Sequence, residues 1–255
     1  MGRKDVYPVT IANSTDDDLE EILAWLQAED VAGETTFHPN RNMIAAGHEA
    51  GELIVLKVGG EIGAFALGAP GVIDIFETKP AFRRTGVGRM LAQHCIGRAA
   101  EADIAVIEGE CAPPTSLPFW EHMGFQQIRA RYGHSPWVGL RVPKLLILPA
   151  GKACEIIVRL FDETMLYVDG VAPVAEYRPL AVMGADGIVY LQERLALYAP
   201  DLRPGNDLAV EIVLDGKRLG LDKVKREEFK RLGVQHDRFL NYFIDMIDPS
   251  SARGD

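Results

Sequence analysis

Apolar positions recur along this chain with two periods, and their order sketches the fold. "VTIANST" alternates as a first strand. It is followed by "DDDLEEILAWLQAED", an acidic first turn with Leu19, Ile22, Leu23 and Leu26 at helical spacing, which predicts a helix. The stretch from Phe37 to Ala50 is mixed and leaves room for a second short helix. "ELIVLKVGGEIGAFALGAP" predicts two strands joined at Gly59 and Gly60, and "GVIDIFETKP" extends the sheet. A glycine loop, "KPAFRRTGVGRML", then opens a helix with Val87, Leu91, Cys95 and Ala99 on one stripe and Ala92 and Ile96 beside it. "IAVIEGECA" predicts a strand, "TSLPFWEHMGF" a short helix turning at Gly124, and "QQIRARY" a further strand.

From about residue 148 the pattern changes. "ACEIIVRLFDE", "GIVYLQERLALYA" and "DLAVEIVLDGKRLG" predict strands, with two helical patches between Asp222 and Ile247. The fold class expected is therefore α/β, an α+β mixed sheet, in two parts. Residues 1–147 form the first domain and 153–249 a smaller α+β domain, divided near Pro149 and Gly151.

Composition narrows the function classes. The 255 residues carry a net charge of −10, with 13 basic and 19 acidic residues up to position 150 and 14 and 18 after it. Neither half is basic, which disfavours nucleic acid and anionic membrane surfaces as partners. Apolar runs such as "LIVLKV" are too short to span a bilayer, and no signal-like apolar stretch follows "MGRKDVYPVT", so a cytoplasmic location is expected. Cys95, Cys111 and Cys154 lack metal-ligand spacing, which fits a reducing compartment and predicts no metal.

A strand, a glycine loop and a helix N-terminus make an anion site, because unpaired backbone N–H groups and the helix dipole both favour negative charge. A dinucleotide fingerprint would need glycine at Leu91, and a Walker loop would need G-K-[S/T] where "GVGRM" stands. The spacing R-x-x-G-x-G at Arg83, Gly86 and Gly88, followed by "LPFWEHMGF" with Phe119, Trp120, Glu121, His122, Gly124 and Phe125, resembles the two signatures of the GNAT superfamily of N-acyltransferases. The resemblance covers residues 6 to 147.

It implies an acetyl group moved from acetyl-CoA to a primary amine by direct attack in a ternary complex. Backbone amides of Arg84 to Arg89, centred on Val87 and Gly88, would hold the pyrophosphate, with charge added by Arg83 and Arg84. The pantetheine arm would lie along Phe76, Glu77 and Thr78. The acceptor would be a small-molecule or peptide amine, and self-association of the chain stays open.

An amine of lysine type is about 1 part in 2,500 uncharged at pH 7, a barrier of roughly 4.6 kcal/mol, so a base or a water chain is needed. Where many relatives have a glutamate this chain has Val72; Asp74 and Glu77 are the candidate catalytic bases, with Glu110 a rival. Trp120 stands where relatives commonly have a tyrosine acid, and Pro113 where many have an asparagine; Tyr132, His122 and Cys111 are alternatives for the acid.

A second reading is a non-catalytic acyl-CoA-binding regulatory module whose C-terminal helices contact a protein or DNA. It draws on Lys217 to Arg231, with seven basic and three acidic residues, and on a loose likeness of "EEFKRLGVQHDRFL" to a helix-turn-helix. The competing reading there is a solvated face beside a core of Leu232, Phe239, Leu240 and Phe243.

Overall fold

The computed structural model describes residues 7–128, 135–166, 168, 170–202, 208–237 and 241–252. They divide into two compact units, Met1–Arg98 and Ala99–Asp255.

In the first unit, β1 (Val9–Asn13), β2 (Leu53–Val58), β3 (Glu61–Leu67) and β5 (Ile75–Thr78) form an antiparallel sheet in the order β1-β2-β3-β5, with the two-residue β4 (Val72–Ile73) just before β5. The predicted hairpin at Gly59 and Gly60 joins β2 to β3. Helix α1 (Asp16–Val31) starts at a capping box: Thr15 and Asp18 each accept a hydrogen bond from the other's backbone N–H. It buries Ile22, Trp25 and Leu26. Helix α2 (Arg41–Glu49) fills the region between Phe37 and Ala50.

The sheet carries a core on each face because side chains alternate along a strand. On one face Phe65, Ile62 and Ile75 pack with Ile22, Trp25 and Leu26 of α1 and Ile44 of α2. On the other, Ala64 and Ala66 pack with Val87, Leu91 and Cys95 of helix α3 (Val87–Glu101). Fully burying a side chain such as Phe65 contributes about 1.5–3 kcal/mol.

In the second unit, β6 (Val106–Glu110) and β7 (Gln126–Ile128) both pair antiparallel with β8 (Trp137–Arg141), and α4 (Leu117–His122) turns into β7 through Gly124 at φ 92°. Then come β9 (Gly151–Asp162), β10 (Ala175–Tyr177), β11 (Leu180–Gly184), β12 (Val189–Ala196), β13 (Leu208–Leu214), β14 (Lys217–Lys223), the five-residue α5 (Glu227–Arg231), β15 (Val234–His236) and β16 (Tyr242–Ile247). Seven of these strands run in the order β14-β13-β9-β11-β12-β16-β15, and β10 also pairs with β9.

The chain is thus a mixed α/β protein. β9 begins at Gly151, close to the expected division near residue 150, whereas the compact units divide between Arg98 and Ala99. The two helical patches expected from Asp222 to Ile247 are corrected: α5 is the only helix among the described residues there, and the rest is strand. Val234 pairs with Ile244 and Gln235 with Phe243, so Phe243, which continued the helical spacing from Leu232, belongs to a strand. Leu232 and Phe243 are core residues as expected, whereas Phe239 and Leu240 lie outside the described residues. The helix-turn-helix likeness fails for the same reason, since its second helix would begin inside β15.

The β6–β8 ladder packs with later strands of its own unit. Ala105, Val106 and Ile128 share a buried cluster with Ala196, Tyr198 and Phe243. Buried Asp237 accepts hydrogen bonds from the N–H of Ala105 at 3.3 Å and of Asn241 at 3.0 Å. Arg194, with its side chain 1% exposed, donates two hydrogen bonds to Asp245 at 2.8 and 2.6 Å and one to the Asp103 carbonyl at 3.1 Å. Its guanidinium lies 3.6 Å from the Phe243 ring centroid.

Candidate active site

The glycine loop is wound tightly between β5 and α3. Lys79 accepts from the N–H of Phe82 at 2.8 Å, Pro80 from Arg83 at 3.2 Å and Phe82 from Thr85 at 3.3 Å; the Thr85 hydroxyl also donates to the Phe82 carbonyl at 2.6 Å. Two residues then take left-handed backbone, Arg84 at φ 63° and Gly86 at φ 95°. Glycine adopts this freely, whereas arginine is strained by roughly 1–2 kcal/mol. The loop is seated on the sheet at Gly63, where a Cβ would lie 3.2 Å from Val87 and 3.4 Å from Phe82.

The first helical bond of α3 runs from Met90 N–H to Gly86 C=O at 3.0 Å. The N–H groups of Val87, Gly88 and Arg89 therefore precede the intrahelical ladder and point out of the helix end. Arg83, Arg84 and Arg89 are exposed around them. Left-handed turns leading into three outward amides at the positive end of a 15-residue helix suit a phosphate group.

Strand β5 ends its sheet. The Lys79 N–H bonds to the Gly63 carbonyl at 2.9 Å, which sets the alternation along the ladder. Phe76 and Thr78 consequently direct their N–H and C=O away from β3, along the outer edge. That geometry matches an extended amide-bearing ligand. The side chain of Phe76 packs on the α3 face and that of Glu77, opposite Phe65 in register, on the α1 face.

Glu77 is the more enclosed of the two candidate bases, with its side chain 15% exposed. Its Oε1 accepts from the Thr78 N–H at 3.1 Å and from Arg83 Nη2 at 3.2 Å. Arg83 also donates through Nε to the Thr78 carbonyl at 3.0 Å, so it braces the end of β5. Burial pushes the Glu77 carboxyl above its ordinary value against the pull of Arg83 and the Thr78 amide, and the charge of Glu29 adds to the rise. Asp74 is exposed, and its N–H bonds to the Leu67 carbonyl at 3.0 Å. Partial covering of its carboxyl, then the charge of Glu52, raise it as well.

The other residues singled out by sequence fall in the second unit. Glu110 and His122 are exposed there. Trp120 is buried, edge-on to Phe119 at 4.9 Å and Phe125 at 5.1 Å. Cys111 is buried, and that burial raises its thiol despite a hydrogen bond with Ser116, which suits packing better than acid catalysis. Tyr132 lies outside the described residues.

Sequence reasoning passed over Trp25 and Glu29. Both sit on the inward face of α1, and Glu29 Oε1 and Trp25 Nε1 are buried with no hydrogen-bond partner among the described residues. One signal was available: Glu29 falls seven residues after Ile22 and three after Leu26, a position where the helical stripe calls for an apolar side chain.

Residues 25–135 match the family model described as an acetyltransferase (GNAT) domain. No curated protein matches the sequence. Among solved structures, Ard1 from Thermoplasma volcanium is similar, at 19% identity over 52% of this chain and 97% of that one, with a TM-score of 0.43. The ribosomal-protein-S18-alanine N-acetyltransferase from Escherichia coli is 18% identical over 53% of this chain and 94% of that one, TM-score 0.40. N-acetylglutamate synthase from Neisseria gonorrhoeae, complexed with coenzyme A and N-acetyl-glutamate, is 15% identical over 53% of this chain and 35% of that one, TM-score 0.43. Residues 25–135, less than half of the chain, are thus similar to the acetyltransferase domain of the GNAT family.

Proposed function

We propose that the protein is a cytoplasmic N-acetyltransferase that moves the acetyl group of acetyl-CoA to a primary amine. The observation that carries this reading is the loop from Arg83 to Arg89, with its left-handed Arg84 and Gly86 and the outward amides of Val87, Gly88 and Arg89. The pyrophosphate would rest on those amides, with Arg83 and Arg84 adding charge. The pantetheine amides would pair with the outer edge of β5 at Phe76, where a backbone N–H can also stabilise the oxyanion, whereas at Thr78 the N–H and C=O are taken by Glu77 and Arg83.

In the transfer the amine nitrogen attacks the thioester carbonyl carbon. The N–C bond forms, the C–S bond breaks, its electron pair leaves on sulfur, and the proton lost by the amine goes to Glu77. The raised affinity of Glu77 for a proton suits a base, and its bonds to Arg83 and Thr78 fix its position. Asp74, more exposed, is the second candidate. A thiolate ionises near pH 8.5 and leaves without a strong acid, which accommodates Trp120 in the place of a tyrosine. The three cysteines are all free thiols, in keeping with a reducing compartment.

Residues 1–147 are proposed as the acyl-CoA-binding segment and 153–249 as a second segment that supports it. Titration calorimetry with acetyl-CoA tests the loop. Wild type should bind, while Gly86→Glu and Gly88→Glu, checked for folding by thermal melting, should lose at least tenfold in affinity. Unchanged binding by two folded variants would remove the loop assignment.

A further inference from the structure

Trp25 and Glu29 are one helical turn apart, so their side chains are neighbours on the inner face of α1. Trp25 is 9% exposed and its ring meets Phe65 edge-on at 5.6 Å. Phe65 is the cross-strand partner of Glu77. Directly opposed residues of an antiparallel pair carry their side chains on the same face, about 5 Å apart. Indole, Glu29 carboxylate, Phe65 ring and Glu77 carboxylate are therefore grouped between α1 and the β3–β5 edge, all within the first unit.

The group is incomplete as it stands. Trp25 Nε1 is a buried donor and Glu29 Oε1 a buried acceptor, each without a partner among the described residues. A buried polar atom left unpaired is costly, and native proteins leave few of them, yet here two stand one turn apart on one helix. The two needs are complementary in kind: Nε1 can only donate and Oε1 can only accept. A ligand that satisfies both must present an N–H donor and an oxygen acceptor within a short distance of each other. Glu77 beside them is the group that takes the proton from an amine.

We infer that this cluster is the acceptor pocket, and that it selects amines bearing a carbonyl oxygen close to the nitrogen, the α-amino carbonyl unit of an amino-acid amide or a peptide N-terminus. The inference rests on the acetyl-transfer reading above and names its substrate class. Glu29 receives an N–H of the substrate amine, Trp25 donates to the carbonyl oxygen, and Phe65 closes the floor. The amine nitrogen is thereby held at Glu77. A simple alkylamine satisfies Glu29 and leaves the indole N–H unpaired.

Two measurements on the full chain with acetyl-CoA test the pocket, using glycinamide and propylamine as probes. In the first, kcat/KM is compared for the two amines in wild type, Trp25→Phe and Glu29→Gln. Wild type should prefer glycinamide, and Trp25→Phe, which keeps a ring against Phe65 but loses the donor, should shrink that preference about fivefold to tenfold, the worth of one hydrogen bond. Glu29→Gln should raise KM for both amines. In the second, the indole N–H resonance of Trp25, assigned by its loss in Trp25→Phe, is followed by NMR as each amine is added. It should move with glycinamide and stay in place with propylamine.

A resonance that glycinamide leaves unmoved, as an enclosed water on Nε1 would produce, overturns the pocket whatever the turnover. A preference unchanged in a folded Trp25→Phe does so too. Movement of the resonance without acetylated product would support the pocket and count against acetyl transfer, so the two readings fail separately.

Discussion

Replacing Glu77 by glutamine separates chemistry from architecture, because the amide keeps the shape and can still accept from Arg83 and the Thr78 N–H. The two hydrogen bonds, at 3.2 and 3.1 Å, become neutral-acceptor bonds and weaken by about 1 kcal/mol each. Against that loss of about 2 kcal/mol stands relief from keeping a carboxylate with 15% exposure beside Glu29, a penalty of similar or larger size. The folded-state pKa of Glu77 is raised, so its protonated form favours the fold. That contribution is present below the unfolded value and is lost as pH rises through the raised folded value. At pH 8 the variant should therefore melt at the wild-type temperature or slightly above it. Its rate should fall roughly 10²–10⁴-fold, as removal of a general base does, or about 3–5 kcal/mol of barrier. Thiol release followed from pH 5 to 9 gives the assay: the acidic limb set by Glu77 should disappear in the variant. Glu77→Gln retaining activity within threefold, with Asp74→Asn crippled instead, would refute the assignment and move the base to Asp74.

Other outcomes follow from the packing. Asp18 is buried at the start of α1, 2.6 Å from Lys57, and although burial works to raise it, Lys57 and Thr15 hold it below its ordinary value. Asp18→Asn should cost about 1–3 kcal/mol in urea unfolding at pH 7. Stability from this depressed carboxyl is present above the unfolded value and lost as pH falls through the folded one, so the gap should narrow below about pH 4. Arg194→Met should cost about 3–5 kcal/mol by the same assay, since it takes from Asp245 both guanidinium hydrogen bonds and leaves it Lys144 at 3.9 Å; a change below 1 kcal/mol would contradict that account. Gly139→Ala would place a methyl on the Tyr198 hydroxyl and should lower the melting temperature by several degrees, an overpacking cost of about 1–3 kcal/mol. Burial pushes the Cys95 thiol up to about 11, so iodoacetamide at pH 8 should label half-buried Cys154 before Cys95, as read by mass spectrometry.

Local chemistry made much of the first unit legible in advance. The capping residues and stripe of α1, the glycine turn between β2 and β3, and the stripe of Val87, Leu91 and Cys95 all depend on neighbours in sequence. So does the anion loop, although Arg84 at φ 63° could not be foreseen, because arginine has no preference for left-handed backbone. What escaped depended on distant pairing. Leu232 and Phe243, eleven residues apart, fall on one helical face by spacing alone, and only the pairing of Phe243 with Gln235 makes it strand. Glu29 reads as one more acid on an acidic helix until Phe65 and Glu77 are brought against it.

The cluster of Ala105, Val106 and Ile128 with Ala196, Tyr198 and Phe243 bears on how such a chain can be shortened or recombined. A fragment ending near residue 147 would keep every signature of its family while uncovering those three side chains and removing Asp237 from the Ala105 amide. It should aggregate, or expose enough greasy surface to bind a hydrophobic dye, even though its own reading frame looks whole. For grafting, expression or the tracing of ancestry, the seam near residue 150 marks where one pattern of residues gives way to another, not where scissors can safely go.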